Sequence, residues 1–172
     1  MALAYAGFVG LRIVYPIDYV DALSAAAEAH DLDPALVAAM ICTESRFVTN
    51  ARSPEGAVGL MQIMPTTGAW IADQLSLENY DDARLLDPSV NLRLATWYLA
   101  YLIDRFASLD QALVAYNAGP SVAEQWCGNP DSLYVETVLY VQRVRFRVPI
   151  YRFWLRCRFI VSITPSILGL RR

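Results

Sequence analysis

Metal-binding and redox-active residues are scarce in this 172-residue chain. Histidine occurs once, as His30, and the three cysteines lie far apart at Cys42, Cys127 and Cys157. Zinc sites and dithiol centres need several such residues at short spacing, and the sequence contains no such spacing. Lysine is absent altogether, so arginine carries all fourteen basic charges. The sequence therefore predicts a protein that works without a metal or another cofactor.

Two common signatures are also missing. The glycines within residues 56–59 follow a predicted helix rather than a strand, so they are not a phosphate-binding or dinucleotide-binding loop. The apolar run over residues 1–14 is shorter than the roughly 20 residues that cross a bilayer, and it lacks the basic start of a signal peptide. Either this run is the remnant of a longer anchor, or it is a lead-in segment that lies on the domain.

Helical patterns dominate the rest of the chain, which is long enough for one domain with a sizeable core. The Asp-Pro pairs at 33–34 and 87–88 are typical of a helix N-cap followed by proline at the first helical position. Gly119 and Pro120 are typical of a helix end. With the apolar spacing, these signals predict a mainly α-helical protein. The predicted helices cover residues 18–29, 34–44, 65–75, 88–106, 109–117 and 134–148.

Glu44 ends the predicted helix that begins at Pro34. Leu36, Met40 and Glu44 recur at every fourth position, so the carboxylate leaves the helix from its apolar face. Burial and the partial negative charge of a helix C-terminus both disfavour an ionised carboxyl, so we expect a raised pKa. A carboxylic acid still protonated near neutral pH can protonate a leaving oxygen, as glycosidic bond cleavage requires. The alternative is a structural glutamate that caps the helix or pairs with Arg46.

A series of motifs begins at this glutamate. In chain order they are E-S-R-F at 44–47, S-P-x-G-A-x-G-L-M-Q-I-M-P at 53–65, A-Y-N-A-G-P at 115–120, and Tyr134-Val135 with Val138-Leu139. Together these motifs closely resemble the catalytic domain of the soluble lytic transglycosylases, a lysozyme-like family that cleaves bacterial peptidoglycan. The resemblance runs from about Tyr15 to about Tyr151, and the separate motifs occur in the same order.

The resemblance implies a lysozyme-like fold of the transglycosylase type, with a small β-hairpin near residues 57–64 beside the active-site groove. It implies that Glu44 is the single catalytic acid and base. Glu44 would protonate the oxygen between N-acetylmuramic acid and N-acetylglucosamine, then deprotonate the muramic C6 hydroxyl and leave a 1,6-anhydro end. The expected function is therefore a peptidoglycan lytic transglycosylase, a carbon–oxygen lyase of the cell envelope. It would act on glycan strands, in the periplasm or on the outer face of the cytoplasmic membrane, without a nucleic-acid partner.

The resemblance also assigns a set of groove residues. Ser45 is expected to fix the helix end, and the hydroxyl of Tyr134 is expected to hold the rotamer of the catalytic carboxyl. The acid and the threonine that usually precede this tyrosine in the family are replaced here, so Asp131, shifted by one position, receives no role. The predicted substrate-binding residues are Ser45, Ser53, Met61, Gln62, Tyr116, Asn117 and Tyr134.

Two other functions are compatible with the same residues. A hydrolysing muramidase or lysozyme would use a second carboxylate beside the bond, and Glu55 lies in a turn predicted to be exposed. A lone acid instead favours attack by a hydroxyl of the substrate itself. The other alternative is a non-catalytic glycan-binding module of a secretion or phage assembly. The intact Glu44, Gln62, Tyr116 and Asn117 argue against lost catalysis.

Charge is strongly polarised along the chain. Residues 1–130 carry six arginines and fifteen acidic residues, whereas residues 131–172 carry eight arginines and two acidic residues. Arginines alternate with aromatic residues near the C-terminus, a pattern that suits a membrane surface, nucleic acid or an anionic wall polymer. We predict a catalytic domain over residues 15–149 and a tail over residues 150–172 that makes peripheral contact with a membrane. The alternative is a tail that folds back on the catalytic domain.

Overall fold

The computed structural model describes residues 12–126 and 130–157. Helices dominate this part of the chain, as the sequence predicts, and short 3-10 helices lie at Asp82–Leu86 and Pro130–Ser132. The main helices are α1 Val20–Glu28, α2 Pro34–Glu44, α3 Pro65–Gln74, α4 Pro88–Phe106, α5 Leu109–Ala118, α6 Pro120–Gln125 and α7 Val135–Arg156.

Aspartate and proline begin two of these helices as predicted. The side chain of Asp33 accepts a hydrogen bond of 2.8 Å from a first-turn amide of α2, and Asp87 caps α4 in the same way at 2.8 Å. Gly119 ends α5 with a φ of 95°. Pro120, predicted as part of a stop signal, instead begins α6. Proline suits the first turn of a helix because its missing amide hydrogen would have no partner there.

The centre of the core is α2. Its residues from Ala35 to Cys42 are all buried. Its contact with α7 is more extensive than the contact between any other two elements of the described residues. A helix that is apolar on every face belongs inside a domain. Glu44 is the last residue of this buried helix, so its carboxyl emerges at the edge of the core.

Tight turns replace the predicted β-hairpin between α2 and α3. Val58 and Ile63 exchange two backbone hydrogen bonds of 2.9 and 3.0 Å, and Val58 also forms a bridge with Arg52. These are isolated bridges, and the described residues contain no strand. Gly59 and Gln62 adopt left-handed conformations, with φ of 84° and 47°, so the chain turns too sharply to extend the pairing. The mainly helical fold is thus confirmed, but the hairpin is not.

α7 continues through Pro149, where the sequence predicts the start of a separate tail. Tyr151 and Trp154 are fully buried, and the Tyr151 hydroxyl donates a 2.7 Å hydrogen bond to the carbonyl of Pro16. Arg152 forms an ion pair of 2.5 Å with Asp33. Residues 150–157 therefore continue α7 and are held against the rest of the described chain by Tyr151 and Trp154, rather than starting a separate tail at Pro149.

The predictions for the two ends of the chain fall mostly on residues that the structure does not describe. The predicted anchor remnant falls mostly on residues 1–11, and the rest of the predicted tail is residues 158–172; both lie outside the described residues. The helices of the described ranges include none with the length and apolar character of a membrane span. Membrane contact by residues 158–172 stays a prediction.

Candidate active site

Glu44 lies where α2 leaves the core. Part of its side chain remains accessible to solvent, but the surrounding protein removes most water from the carboxyl. This burial raises the pKa of Glu44 from an ordinary value of 4.5 to about 7. The hydroxyl of Tyr140 acts in the opposite direction and lowers the pKa. Near neutral pH the carboxyl is therefore divided between its acid and base forms, which suits a group that must first donate and then accept a proton.

Tyr140 supplies the hydroxyl that acts on this carboxyl. It lies on α7, the helix packed along α2, and its side chain is 5% exposed. Burial, and then the charge of Glu44, raise the pKa of Tyr140 well above its ordinary value. Its hydroxyl makes no hydrogen bond of standard geometry within the described part of the chain, but it acts on Glu44 closely enough to lower the pKa of that carboxyl.

Two other hydroxyls hold the loop that faces Glu44. Ser45 donates a buried hydrogen bond of 2.7 Å to the carbonyl of Leu60. Tyr116 donates one of 2.9 Å to the carbonyl of Met61, the next residue along the chain. Burial, followed by the charge of Glu44, raises the pKa of Tyr116 well above its ordinary value. Tyr116 therefore remains a hydrogen-bond donor while it connects α5 to the loop beside the acid.

Asn91 fixes the same loop from the core side, a role that the sequence analysis missed. Its side-chain amide donates hydrogen bonds to the carbonyls of Val58 at 3.0 Å and Leu85 at 2.9 Å. Its side-chain oxygen accepts one from the amide of Met61 at 2.9 Å. A Cβ at Gly59 would lie 2.3 Å from the Asn91 amide nitrogen, so only glycine fits there. An amide residue at a buried position of an apolar helix is the sequence signal for such a contact.

Ser53 and Gln62 shape the loop from within. The Ser53 hydroxyl accepts hydrogen bonds from the backbone amides of Glu55 and Ala57, both at 3.2 Å. The side-chain amide of Gln62 donates one of 2.8 Å to the carbonyl of Gly59. The Ser53 hydroxyl and the Gln62 amide nitrogen therefore have partners inside this loop.

The remaining predicted groove residues differ in exposure. The side chain of Met61 is fully buried, so it does not line a groove; it contributes through its backbone, and Met64, 38% exposed, is the accessible methionine of the motif. Asn117 is exposed near the end of α5. Tyr134 is 76% exposed at the N-cap of α7. The hydroxyl that acts on the Glu44 carboxyl is thus that of Tyr140 rather than that of Tyr134.

The raised pKa of Glu44 predicts a pH-dependent stability. The folded state binds a proton at Glu44 up to about pH 7, whereas the unfolded chain releases it near 4.5. The stability associated with this proton is fully present below about pH 4.5 and is lost as the pH rises through about 7. We expect Glu44→Gln, which cannot ionise, to have a higher Tm than the unchanged protein near pH 8, with the gain shrinking towards pH 4.5. Thermal unfolding followed by circular dichroism at both pH values measures the difference.

Glu55→Gln is the matched control for this experiment, because the Glu55 side chain is exposed. It should change Tm little at either pH. A Glu44→Gln variant whose Tm difference from the unchanged protein is the same at both pH values would contradict a raised pKa at this position.

A family model for the transglycosylase SLT domain matches residues 21–136. The chain belongs to this family. Among curated proteins, the soluble lytic murein transglycosylase of Salmonella typhimurium is 32% identical over 134 residues, which are 77% of this chain and 21% of that protein. The counterpart in Escherichia coli K12 is 31% identical over the same shares of the two chains. The chain therefore spans about a fifth of the length of these family members.

Solved structures of family members share the fold. An inactive mutant of lytic transglycosylase Slt from Pseudomonas aeruginosa matches with a TM-score of 0.78 and 31% identity, over 85% of this chain and 26% of that one. A complex of the 70-kDa soluble lytic transglycosylase with bulgecin A matches with a TM-score of 0.75 and 29% identity, over 82% and 25%. The resemblance stated from the sequence motifs is confirmed by both kinds of comparison.

Proposed function

We propose that this chain is a peptidoglycan lytic transglycosylase in which Glu44 is the single catalytic acid and base. The observation that carries the proposal is a carboxyl with a pKa of about 7 at the end of a buried helix, in a family whose members include murein transglycosylases. In its protonated form Glu44 donates its proton to the glycosidic oxygen as the bond to the muramic C1 breaks. The carboxylate left behind then accepts the proton of the muramic C6 hydroxyl, whose oxygen bonds to C1.

The surroundings of Glu44 support this intramolecular route over hydrolysis. Ordinary glycosidases place a second carboxylate close to the first, and its charge would raise the pKa of the acid further. Burial and the Tyr140 hydroxyl account for the shift at Glu44, and none of the described carboxylates contributes to it. Glu55, the next acid along the chain, is exposed. A hydroxyl of the substrate itself supplies the nucleophile at high effective concentration, so no water need be activated.

The loop beside Glu44 positions the acid and the sugar. Ser45, Tyr116 and Asn91 each hydrogen-bond to the backbone of residues 58–61, so the loop is held against the end of α2. Such preorganisation favours the geometry in which the acid reaches the glycosidic oxygen. Gln62, Asn117 and the exposed Tyr134 are then the polar residues that we assign to the substrate-facing wall.

Tyr140→Phe should raise the pKa of Glu44, because the hydroxyl that it removes lowers that pKa. Activity requires the protonated acid, so we expect the alkaline limb of the kcat/KM profile to move to higher pH. Clearing of a purified peptidoglycan suspension, measured across the pH range, reports this shift. Tyr134→Phe is the matched control and should leave the limb in place, because Tyr134 is exposed. An unmoved limb in Tyr140→Phe would show that Tyr140 does not act on the acid.

We place the enzyme at the cell envelope, where a murein substrate is found. Curated relatives include membrane-bound lytic murein transglycosylases of Buchnera aphidicola and Actinobacillus pleuropneumoniae as well as the soluble enzymes. Release of soluble fragments from purified peptidoglycan by the full chain tests the proposed activity. Binding to peptidoglycan without release of fragments would instead identify a non-catalytic glycan-binding module.

A further inference from the structure

One side of α7 lies open to solvent although it carries large apolar side chains. Leu139, Phe146 and Phe153 are 39%, 65% and 57% exposed. They lie seven residues apart, and seven residues are nearly two helical turns, so the three side chains follow one line of about 21 Å along the helix. Single exposed apolar residues are common on soluble proteins, but a line of them is typical of an interaction surface. We call these three side chains the apolar stripe.

Arginines border the stripe on both sides. At about 100° per residue, Arg143 lies about 60° to one side of Phe146, and Arg156 lies about 80° to the other side. Both are exposed, and neither forms an ion pair within the residues that the structure describes. The other exposed arginines of α7, Arg145 and Arg152, are ion-paired. The chain has no acidic residue after position 136, although its net charge is −3. The stripe is therefore an apolar line with cationic edges on an otherwise acidic protein.

This combination favours an anionic lipid surface as the partner. A helix that lies in the plane of a membrane places its apolar side chains at the boundary of the acyl chains, while arginines at its edges stay near the lipid phosphates. A phosphate polymer such as nucleic acid would engage the arginines but would leave the apolar stripe in water. A second copy of α7 would bring Arg143 and Arg156 close to like charges, with no acidic residue of the helix beyond position 136 to pair with them.

The opposite side of α7 holds the helix in place. Tyr140, Val144 and Tyr151 project from that side and are buried, in the extensive contact between α7 and α2. The hydroxyl of Tyr140 acts on Glu44, so the stripe and the catalytic carboxyl lie on different sides of the helix. Contact at the stripe therefore needs no rearrangement of the candidate active site. We propose that the apolar stripe, with Arg143 and Arg156 at its edges, is a peripheral binding surface for a bilayer of anionic phospholipids.

Sedimentation of the full chain with lipid vesicles tests the proposal. We expect binding to vesicles of phosphatidylglycerol and phosphatidylcholine at low ionic strength, and little binding to vesicles of phosphatidylcholine alone. The double variant Phe146→Ser with Phe153→Ser should bind the anionic vesicles about tenfold more weakly or worse, because it removes two apolar contacts. Arg143→Gln with Arg156→Gln should lose about tenfold as well, because each arginine near an anionic surface contributes about fivefold.

Arg84→Gln with Arg93→Gln is the matched control, because it removes the same charge from two exposed positions outside α7. It should bind nearly as well as the unchanged protein. An equal loss in this control and in the α7 arginine variant would show that only net charge matters, and would overturn the proposal. Absence of binding by the unchanged protein would overturn it too.

The phenylalanine variant separates the membrane from the other partners. Full binding without the two rings, together with lost binding without Arg143 and Arg156, would identify a surface for anionic polymers and overturn the proposal. Full binding by all the variants would place the lipid contact outside α7, with the same consequence. Because purified peptidoglycan contains no membrane, the stripe variants should lyse it at the rate of the unchanged protein, so the proposed function is tested separately.

A reporter on the stripe gives a second measurement that does not depend on lost binding. Brominated acyl chains quench a tryptophan that reaches them, so Phe146→Trp should add fluorescence that anionic vesicles with brominated chains quench. Gln74→Trp, at an exposed position at the end of α3, is the matched control and should keep its added fluorescence. Any result other than stronger quenching at position 146 would overturn the assignment of the stripe as the lipid-binding surface.

Discussion

Glu44→Gln is expected to fold and to lose about 10²–10⁴-fold or more of its peptidoglycan-lysing activity. The amide keeps the shape of the side chain but cannot donate a proton, and in our mechanism one carboxyl performs both proton transfers. The loss should appear in kcat more than in the binding of glycan, because the amide leaves the surrounding loop unchanged. Rates of fragment release from purified peptidoglycan, with protein folding checked by circular dichroism, measure the effect.

Glu55→Gln is the control for this result. It removes an exposed carboxylate of the following motif and should retain nearly full activity. More than a tenth of normal turnover in Glu44→Gln would remove Glu44 from the mechanism. A comparable loss in Glu55→Gln would point to a two-carboxylate hydrolase.

A chain that ends at Pro149 is expected to lose its cooperative fold. The truncation removes Tyr151 and Trp154, both fully buried, together with the hydrogen bond from Tyr151 to Pro16. Deleting one large aromatic side chain from a core costs about 3–5 kcal/mol, and the whole stability of a domain is about 5–15 kcal/mol. Thermal unfolding and the dispersion of amide resonances should both show the loss.

A chain that ends at Cys157 is the matched control, because it keeps the whole of α7 as the structure describes it. It should unfold cooperatively at a much higher temperature than the chain ending at Pro149. The same unfolding midpoint for both would show that residues 150–157 are not needed for the fold, which would favour the separate tail that the sequence predicts from residue 150.

The helices of this protein were predictable because their start signals are local. The caps at Asp33 and Asp87 depend only on the few residues that follow them, and the structure forms both. Pro149 shows where local signals fail, since a proline inside a helix removes a hydrogen bond and normally ends it. Burial of Tyr151 and Trp154 beyond the proline outweighs that cost, and such burial depends on tertiary packing that sequence spacing does not reveal.

The candidate site shows the same division between local and long-range information. Glu44 was identified because its helix position and the motif after it are contiguous in the chain. The choice between Tyr134 and Tyr140 depends on where α7 begins and how it packs on α2, because Tyr134 lies at the exposed N-cap whereas Tyr140 lies within the helix and is buried. Asn91 was missed because its partners come from a loop about thirty residues earlier in the chain.

In the proposed mechanism Glu44 drives an intramolecular reaction that consumes no water. Mass spectrometry of the fragments released from purified peptidoglycan, with the reaction run in water labelled with heavy oxygen, tests it most directly. We expect 1,6-anhydro-muramic acid ends, which are lighter by one water than hydrolysed ends and free of the label. Free reducing ends that carry the heavy oxygen would contradict it and would identify a hydrolase.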